Sequence, residues 1–466
     1  MSALLRQPFY RLTLLVLFFS SPSWAGPLDN DPLKKALFLS EQEKWAEAVP
    51  EFQRAANQDP KNAMTWANLG VALSRVDQHK DALLAYETAA NLGYDNAPFR
   101  YNRGLSFARI NLLEEAEREL KIALDKDPRM AKAEYDLGIV YKLMGRPDAA
   151  MERVRNLYFG NNKLAHKLFD QVQPYKIASI DNGGALTGKA FLKGPVPKPR
   201  SFHLVHSPNI EFCSRISDGQ GHRLVYDFVA SEKGEFKDVV IAIMGVRKGK
   251  PFSEAQKKPA FKVNRCHSDQ YAMGINNGEN VMVENFDPIE HEIVSYEIHN
   301  PRVFQKSNKQ ILAKSTQIHS AFLHPDAREY FITCNLHNFI QTHGLVVGNP
   351  YYAVTDDEGR FSIQDIPPGT YEVLAWHPYI PTQKGTVTIH PNQEAQIDFV
   401  FNGEDEKRKL YQDDLKGYRF QPWYDNANTF YGRKRVDDPV EILQEPAMKY
   451  YNRVTPQEIQ QSPPLN

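Results

Sequence analysis

The sequence predicts a multidomain protein in which an all-α repeat array precedes an all-β region. In the first third of the chain small residues recur every 34 positions, which indicates stacked helical hairpins. Beyond residue 183 apolar residues alternate with period two between Gly and Pro turns, as in antiparallel strands. At 466 residues the chain is too long for one core, so we expect two to four domains.

Charge and cysteine usage exclude several classes of function. The formal net charge is −1, and no basic block points to nucleic acid or to an anionic membrane surface. None of the three cysteines lies in a Cys-x-x-Cys-His motif, so covalently attached haem is not expected.

Residues 1–25 have the pattern of a secretory signal peptide. Arg6 and Arg11 supply positive charge, residues 12–19 form a short apolar core, and Ser23-Trp-Ala25 is a small-x-small cleavage site. The alternative is an uncleaved anchor. We predict a periplasmic or secreted protein in an oxidising compartment, with no membrane span after signal cleavage.

The helical array is predicted over residues 29–168. Trp66-Ala-Asn-Leu-Gly70 is its best single motif, and two sets of small residues keep the 34-residue step: Ala48, Ala82, Ala116 and Ala150, and Gly70, Gly104 and Gly138. The pattern resembles tetratricopeptide repeats, which implies a solenoid with a concave surface for a protein partner. The alternative is an array that only spaces or dimerises the protein. The matching positions that face inward in the array are occupied by Asn68, Asn102 and Asp136. These side chains could bind a peptide backbone or could be solvated helix residues.

Two stretches of the β region carry metal-ligating side chains. Residues 331–333 form a β-rich run that leads into Cys334-Asn-Leu-His337, and residues 281–293 run through a turn into His291. A thiolate and imidazoles form a soft site, which suits copper or zinc and not magnesium or calcium. We therefore predict one metal ion held by His291, Cys334 and His337.

The two stretches resemble the copper site of cupredoxins. More widely, residues 183–402 resemble periplasmic plastocyanin-like proteins that also carry a carboxypeptidase-regulatory-like sandwich, on the motifs Gly188-Lys-Ala-Phe-Leu-Lys-Gly194-Pro, Cys334-Asn-Leu-His337 and residues 350–377. The resemblance implies a cupredoxin-like domain over residues 256–348. It lies between two parts of a transthyretin-like sandwich, residues 183–255 and 349–402.

The chain departs from that family close to the ligands. Phe339-Ile340 stands where the family has Trp-Met, so the weak axial thioether is missing, and Asn349 replaces a His. Such a site can still hold copper, because the axial bond mainly tunes the potential. His343 could add a further imidazole and make a more open site with room for a small ligand.

The remaining cysteines, Cys213 and Cys266, lie outside any metal spacing. In an oxidising compartment a disulfide between them would leave Cys334 as the one free thiol. The alternative is three unpaired buried thiols.

Four other histidines are expected to be surface or hydrogen-bonded side chains rather than ligands: His299, His319, His324 and His377. Residues 403–466 form a polar tail whose aromatic residues predict irregular structure rather than full disorder.

Together these features predict an exported copper protein that transfers single electrons. The helical repeats would dock its partner, an exported redox protein or cytochrome. A copper-handling or assembly scaffold is one alternative, and a mononuclear copper enzyme with an open site is another. We favour an electron carrier or binding protein over an enzyme.

Overall fold

The computed structural model describes residues 31–173, 175–204, 207–219, 221–268, 270–299 and 302–407. The chain divides into two compact units, Met1–Gln173 and Pro174–Asn466. The predicted signal peptide and residues 408–466 of the predicted tail lie outside the described residues. In the described part, no helix combines the length and the apolar character that a membrane crossing requires.

The described residues of the first unit form four helical hairpins followed by a ninth helix. The helices are α1 Pro32–Glu41, α2 Trp45–Gln58, α3 Ala63–Arg75, α4 His79–Asn91, α5 Ala97–Arg109, α6 Leu113–Lys126, α7 Ala131–Leu143, α8 Pro147–Gly160 and α9 Asn162–Val172. The second helices of the hairpins begin at residues 45, 79, 113 and 147, which keeps the 34-residue step. The predicted all-α tetratricopeptide-like array is therefore confirmed, and its helices end at Val172 rather than at residue 168.

The 34-residue period also sets the turns and the helix crossings. Each hairpin turn contains one residue with positive φ, and these are Glu43, Asp77, Asn111 and Gly145. A Cβ on Gly70 would come within 2.6 Å of the buried Tyr86 ring, and a Cβ on Gly138 within 2.5 Å of Leu168. The glycines are therefore required where two helices cross closely.

The described residues of the second unit form strands and two short α-helices, α10 Ile210–Cys213 and α11 Glu254–Lys257. The strands are β1 Lys176–Ile177, β2 Gly184–Lys193, β3 Arg200–His203, β4 His222–Val225, β5 Val240–Ile243, β6 Lys248–Gly249, β7 Ala260–Asn264, β8 His267–Ser268, β9 Ala272–Asn276, β10 Asn280–Asn285, β11 His291–His299, β12 Arg302–Ile311, β13 Ser315–Ser320, β14 Glu329–Cys334, β15 Gln341–Val347, β16 Tyr352–Val354, β17 Arg360–Ile366, β18 Gly369–His377, β19 Ile380–Ile389, β20 Glu394–Gln396 and β21 Phe399–Asn402.

A small sandwich is made from strands at both ends of this unit. One of its sheets has the order β16-β5-β18-β19, and the other has β17-β2-β20, with β21 also paired to β2. Their inner faces share one apolar core, which includes Leu186, Ile241, Phe361 and Phe401. All four residues of β5 are buried, as its unbroken apolar run predicts.

A second sandwich is inserted in the chain between β5 and β16, which pair with each other through Val240 and Val354. Its sheets have the orders β13-β10-β7-β8 and β12-β11-β14-β15-β9. One face of the five-stranded sheet forms the inner core with residues such as Ile293 and Ile332. The other face packs Leu345 and Val347 against Trp376 of the small sandwich.

An arm extends from the small sandwich over the inserted one. We call residues 200–225 the β3–β4 arm, since β3 and β4 pair as its two sides. Between them lie α10 and a 3-10 turn, Ser214–Ile216. Cys213 of this arm is joined by a disulfide to Cys266, which lies in the turn between β7 and β8.

Candidate metal centre

Two antiparallel strands and one tight loop bring three side chains together. His291 begins β11 and Cys334 ends β14, and Ile293 of β11 lies opposite Cys334 in the pairing of the two strands. The Cys334 N–H donates to the Ile340 carbonyl (3.0 Å), and the Ile340 N–H donates to the His337 carbonyl (2.9 Å). These bonds fold the loop back, so that His337 faces the same point as the other two.

The three donor atoms lie within contact distance of one another. The Cys334 Sγ is 3.6 Å from Nδ1 of His291 and 3.7 Å from Nδ1 of His337, and the two Nδ1 atoms are 3.2 Å apart. All three side chains are fully buried. Among the described residues, these three form the only group of His, Cys, Asp or Glu side chains whose donor atoms lie close enough together to hold a metal ion.

The outer nitrogen of each imidazole already has a partner. Nε2 of His291 donates to Oδ2 of Asp287 (3.0 Å), and Nε2 of His337 donates to the Pro208 carbonyl (2.9 Å). A carboxylate and a carbonyl only accept, so the proton of each neutral ring is on Nε2. Each Nδ1 therefore presents a lone pair toward Cys334, as metal-binding histidines do.

This convergence of lone pairs favours a bound cation. Burial raises the pKa of the Cys334 thiol to about 12, although backbone hydrogen bonds from His337, Glu292 and Leu336 act in the opposite direction. Burial likewise lowers the pKa of His337 to about 4, so its ring is neutral near pH 7. A metal ion would deprotonate the thiol and satisfy all three donors at once.

The spacing of the donors fits a small transition-metal ion. Separations of 3.2, 3.6 and 3.7 Å leave a central point about 2.0 Å from each atom, close to the roughly 2.0–2.3 Å of metal–imidazole and metal–thiolate bonds. One thiolate and two imidazoles form the trigonal donor set of blue-copper sites, and zinc also accepts these ligands.

His343 is not brought to this group. It pairs with Phe331 across β14 and β15, three residues from Cys334, and therefore points from the opposite face of the sheet. Its ring lies against Tyr271 and Tyr379, with Nε2 3.4 Å from the Tyr379 hydroxyl. The geometry thus does not support a third imidazole at the centre. The more open site, which the sequence suggested with His343 as a further ligand, therefore lacks that ligand.

The departures from the cupredoxin pattern have structural explanations. Ile340 is fully buried in the inner core of the inserted sandwich, on the face that carries Cys334. Phe339 is also buried and packs beside the His337 ring, with centroids 5.8 Å apart. Asn349 donates to the Ile243 carbonyl (2.8 Å) and accepts from the Tyr351 N–H (2.9 Å). It therefore fixes the chain where it re-enters the small sandwich.

The four other histidines have hydrogen-bond or ion-pair partners away from the centre. His377 donates to the Asp227 carbonyl (2.8 Å), and Nδ1 of His319 bonds the Ser307 hydroxyl (2.9 Å). His299 and His324 lie together beside the Glu297 carboxylate, which pairs with Nε2 of His299 and accepts from the His324 backbone N–H. They are buried or half-buried rather than exposed.

Two groups that bond the candidate ligands, and one ion pair at the base of the β3–β4 arm, were not singled out from the sequence. Asp287 lies four residues before His291, and a carboxylate at that spacing was visible in the sequence. Pro208 acts through its carbonyl, which no sequence pattern reveals. The buried Arg200–Asp227 pair, with bonds of 2.6 Å, joins residues at the base of the β3–β4 arm and depends on tertiary packing.

Comparison with known families gives a match for one segment of the chain. Residues 344–402 match the family model of the carboxypeptidase regulatory-like domain, which covers the strands of the small sandwich after the insertion. No curated protein matches the chain.

Several solved structures are similar to about 30% of this chain. They include MamA from Desulfovibrio magneticus, with 23% identity over 29% of this chain and 77% of that one and a TM-score of 0.28. YrrB, described as a TPR protein with an unusual peptide-binding site, has 17% identity over 30% and 75% and a TM-score of 0.27. A tetratricopeptide repeat protein from Parabacteroides merdae has 19% identity over 31% and 58% and a TM-score of 0.29. At these TM-scores the likeness carries no argument about this chain.

Proposed function

We propose that the protein is an exported copper protein, in which a cupredoxin-like sandwich holds one copper ion for single-electron transfer. His291, Cys334 and His337 would bind the ion, and copper would supply the one-electron couple between Cu(II) and Cu(I). One observation carries the proposal. Two imidazole nitrogens and one thiol converge within 3.7 Å in a fully buried site, with both outer nitrogens already hydrogen-bonded.

This arrangement suits electron transfer because its ligands are held in place. Cys334 and His291 lie on paired strands, and the loop bonds fix His337. Asp287 and Pro208 hold the two rings by their outer nitrogens. A donor set with so little freedom keeps one geometry in both oxidation states, which lowers the reorganisation that accompanies each transfer.

A short route connects the centre with the surface. His337 itself is buried, but its Nε2 donates to the carbonyl of Pro208, which is exposed. An exposed apolar side chain lies two residues further along the chain, since Ile210 is 40% exposed. We therefore assign the surface around Pro208 as the place where an electron enters or leaves.

The helical unit is proposed to bind the protein partner. A pocket opens between α1, α3 and α5, lined by Leu37, Trp45, Asn68, Tyr94 and Asn102 among others. It combines apolar rings with amide groups that can pair with a peptide backbone. The partner would be an exported redox protein or cytochrome. The predicted signal peptide supports a periplasmic or secreted location.

The same geometry argues against an enzyme with an open copper site. An open site needs an exchangeable position, but the three ligands are fully buried and His343 lies on the other face of the sheet. A catalytic metal keeps such a position for substrate or water.

The test is the optical spectrum of the mature protein after copper loading and oxidation, with Cys334→Ser as the control. We expect an intense blue thiolate-to-copper band that the control lacks and that added azide does not shift. A weaker band that azide shifts would favour an open-site enzyme. Binding of zinc in preference to copper, or rapid loss of Cu(I) to a chelator without a blue Cu(II) form, would overturn the electron-transfer proposal.

A further inference from the structure

We infer that the Cys213–Cys266 disulfide is the joint that positions both imidazoles of the proposed copper centre. It links the group that orients His337 to the group that orients His291. The inference rests on the proposed function, and the experiment below separates the failure of one from the failure of the other.

The first half of the connection runs from His337 into the β3–β4 arm. Nε2 of His337 donates to the carbonyl of Pro208 (2.9 Å). The next residue, Asn209, has φ of 56°, and its carbonyl accepts from the N–H groups of Phe212 and Cys213, both at 3.0 Å. One tight helical turn therefore separates the acceptor of His337 from the disulfide.

The second half runs from His291 to the turn between β7 and β8. Nε2 of His291 donates to Asp287, whose carboxylate also accepts from the backbone N–H groups of Arg265 and Cys266. The Cys266 bond is 2.9 Å long. One carboxylate thus joins the imidazole directly to the residue that carries the other half of the disulfide.

The conformation of that turn shows why it needs a covalent restraint. Asn264 pairs with His267, so Arg265 and Cys266 are the two central residues of the hairpin, with φ of 51° and 54°. Two consecutive left-handed residues define a type I′ turn, which strongly favours Asn-Gly over residues with larger side chains. Arg-Cys is a poor sequence for this turn, and such conformations persist where the surroundings enforce them.

The surroundings supply two restraints on the turn. The Asp287 carboxylate binds the two convergent N–H groups, which form a small anion-binding nest. The disulfide holds the Cys266 side chain against Cys213, and both sulfurs are buried in the core that also contains Cys334. Without the disulfide, the turn and the arm lose their common anchor, and both imidazoles lose a fixed acceptor.

The experiment compares the full-length mature protein with the double variant Cys213→Ala/Cys266→Ala. Cu(I) affinity is measured in competition with a chelator, and Co(II) is used as a spectroscopic probe whose bands report the coordination number. We expect Cu(I) affinity to fall about 10–100-fold, as for other changes in the groups that orient metal ligands. The Co(II) bands should shift toward those of a higher-coordinate site as water enters.

Ile275→Ala is the matched control. Ile275 is buried in the same core, and its hydrocarbon side chain can form no hydrogen bond to either orienting group. The variant should lose stability and keep the wild-type Cu(I) affinity and Co(II) bands. Equal affinity and identical bands in the double variant and the wild type would overturn the inference. A wild type that binds neither ion would instead overturn the proposed function.

A second variant keeps the inference testable where the double variant does not fold. Asp287→Asn leaves the disulfide in place but removes the carboxylate that accepts hydrogen bonds from both the turn and His291. We expect the same shift of the Co(II) bands and a comparable loss of Cu(I) affinity, with only one thiol titrating in the unfolded protein. Unchanged bands and affinity in Asp287→Asn would count against the inference equally.

Discussion

Phe331 and His343 are cross-strand partners on β14 and β15, and their rings lie 4.6 Å apart. Side chains on neighbouring strands that pair in this way lie on the same face of the sheet. Cys334 follows Phe331 by three residues on the same strand and therefore points from the opposite face. This relationship separates two buried histidines that are only six residues apart, His337 and His343, into a candidate ligand and a packing residue.

The same substitution at these two histidines should therefore have opposite effects on the copper centre. His337→Gln removes one nitrogen donor, and we expect Cu(I) affinity to fall at least about tenfold and the blue band to be lost or strongly shifted. His343→Gln should keep both the affinity and the band, because its side chain lies toward Tyr271 and Tyr379. Loss of the band in His343→Gln alone would show that the pairing register of β14 and β15 is wrong.

The residue at position 340 should tune the reduction potential. Ile340 is buried on the same face as Cys334, at the position where the cupredoxin pattern that the sequence resembles has an axial Met. Ile340→Met would add a weak thioether donor, which favours Cu(II), so we expect a lower potential by direct electrochemistry.

Leu345→Met is the matched control for Ile340→Met. Leu345 lies on β15, the strand that begins directly after Ile340. It packs on the opposite face, in the contact between the two sandwiches. It should leave the potential unchanged. An unchanged potential in Ile340→Met as well would mean that residue 340 does not lie at the metal.

Local patterns in the sequence were enough to predict the helical array and the three candidate ligands. The 34-residue step fixes where α4, α6 and α8 begin, because each hairpin repeats one packing unit. Cys-x-x-His places a thiol and an imidazole on one tight loop, and the turn before β11 presents the second imidazole. Both are properties of short segments, which a single sequence records.

The rest of the centre depends on which segments meet in space. Pro208 reaches His337 from 129 positions away along the chain, and its carbonyl is the same chemical group in every residue. The face on which His343 lies depends on strand register, which the sequence alone did not fix. Arg200 and Asp227 form an ion pair across the base of the arm, and no sequence motif predicts such a pair.

The stability of the helical unit should fall as pH rises through the range in which Asp136 titrates. Burial raises the pKa of Asp136 from 3.8 to about 6, against the opposing effects of the Tyr101 hydroxyl and nearby cations. Between about pH 4 and 6 the folded state holds a proton that the unfolded state has released. The free energy of unfolding should therefore decrease by about 3 kcal/mol over this range.

Asp136→Asn should remove this part of the pH dependence, since the amide does not titrate and can still accept from the Tyr101 hydroxyl, which is 2.7 Å from Oδ2. Asp125→Asn, a change at an exposed carboxylate of α6, is the control and should keep the wild-type dependence. The measurement is urea unfolding followed by far-ultraviolet circular dichroism at several pH values. Parallel pH profiles for Asp136→Asn and the wild type would contradict the prediction.

The two ends of the β3–β4 arm are held by different chemistry, and the buried ion pair at its base should dominate the stability of that end. Arg200 makes two bonds of 2.6 Å to the Asp227 carboxylate, which also accepts from the Tyr271 hydroxyl at 2.5 Å. Both members of the ion pair are buried. Arg200→Ala would leave a buried carboxylate without its cation, so we expect a loss of about 3–5 kcal/mol in the free energy of unfolding.

An exposed pair in the same unit provides the comparison. Arg360 makes a 3.0 Å bond to Asp356, but both side chains are about half exposed. Because water and salt screen such a pair, Arg360→Ala should destabilise the protein much less than Arg200→Ala does. Urea unfolding followed by near-ultraviolet circular dichroism, which reports the packing of aromatic residues, measures both variants. If the two substitutions destabilise equally, burial of the Arg200–Asp227 pair does not determine how the arm is anchored, and the apolar contacts of Phe202 and Leu204 become the better explanation.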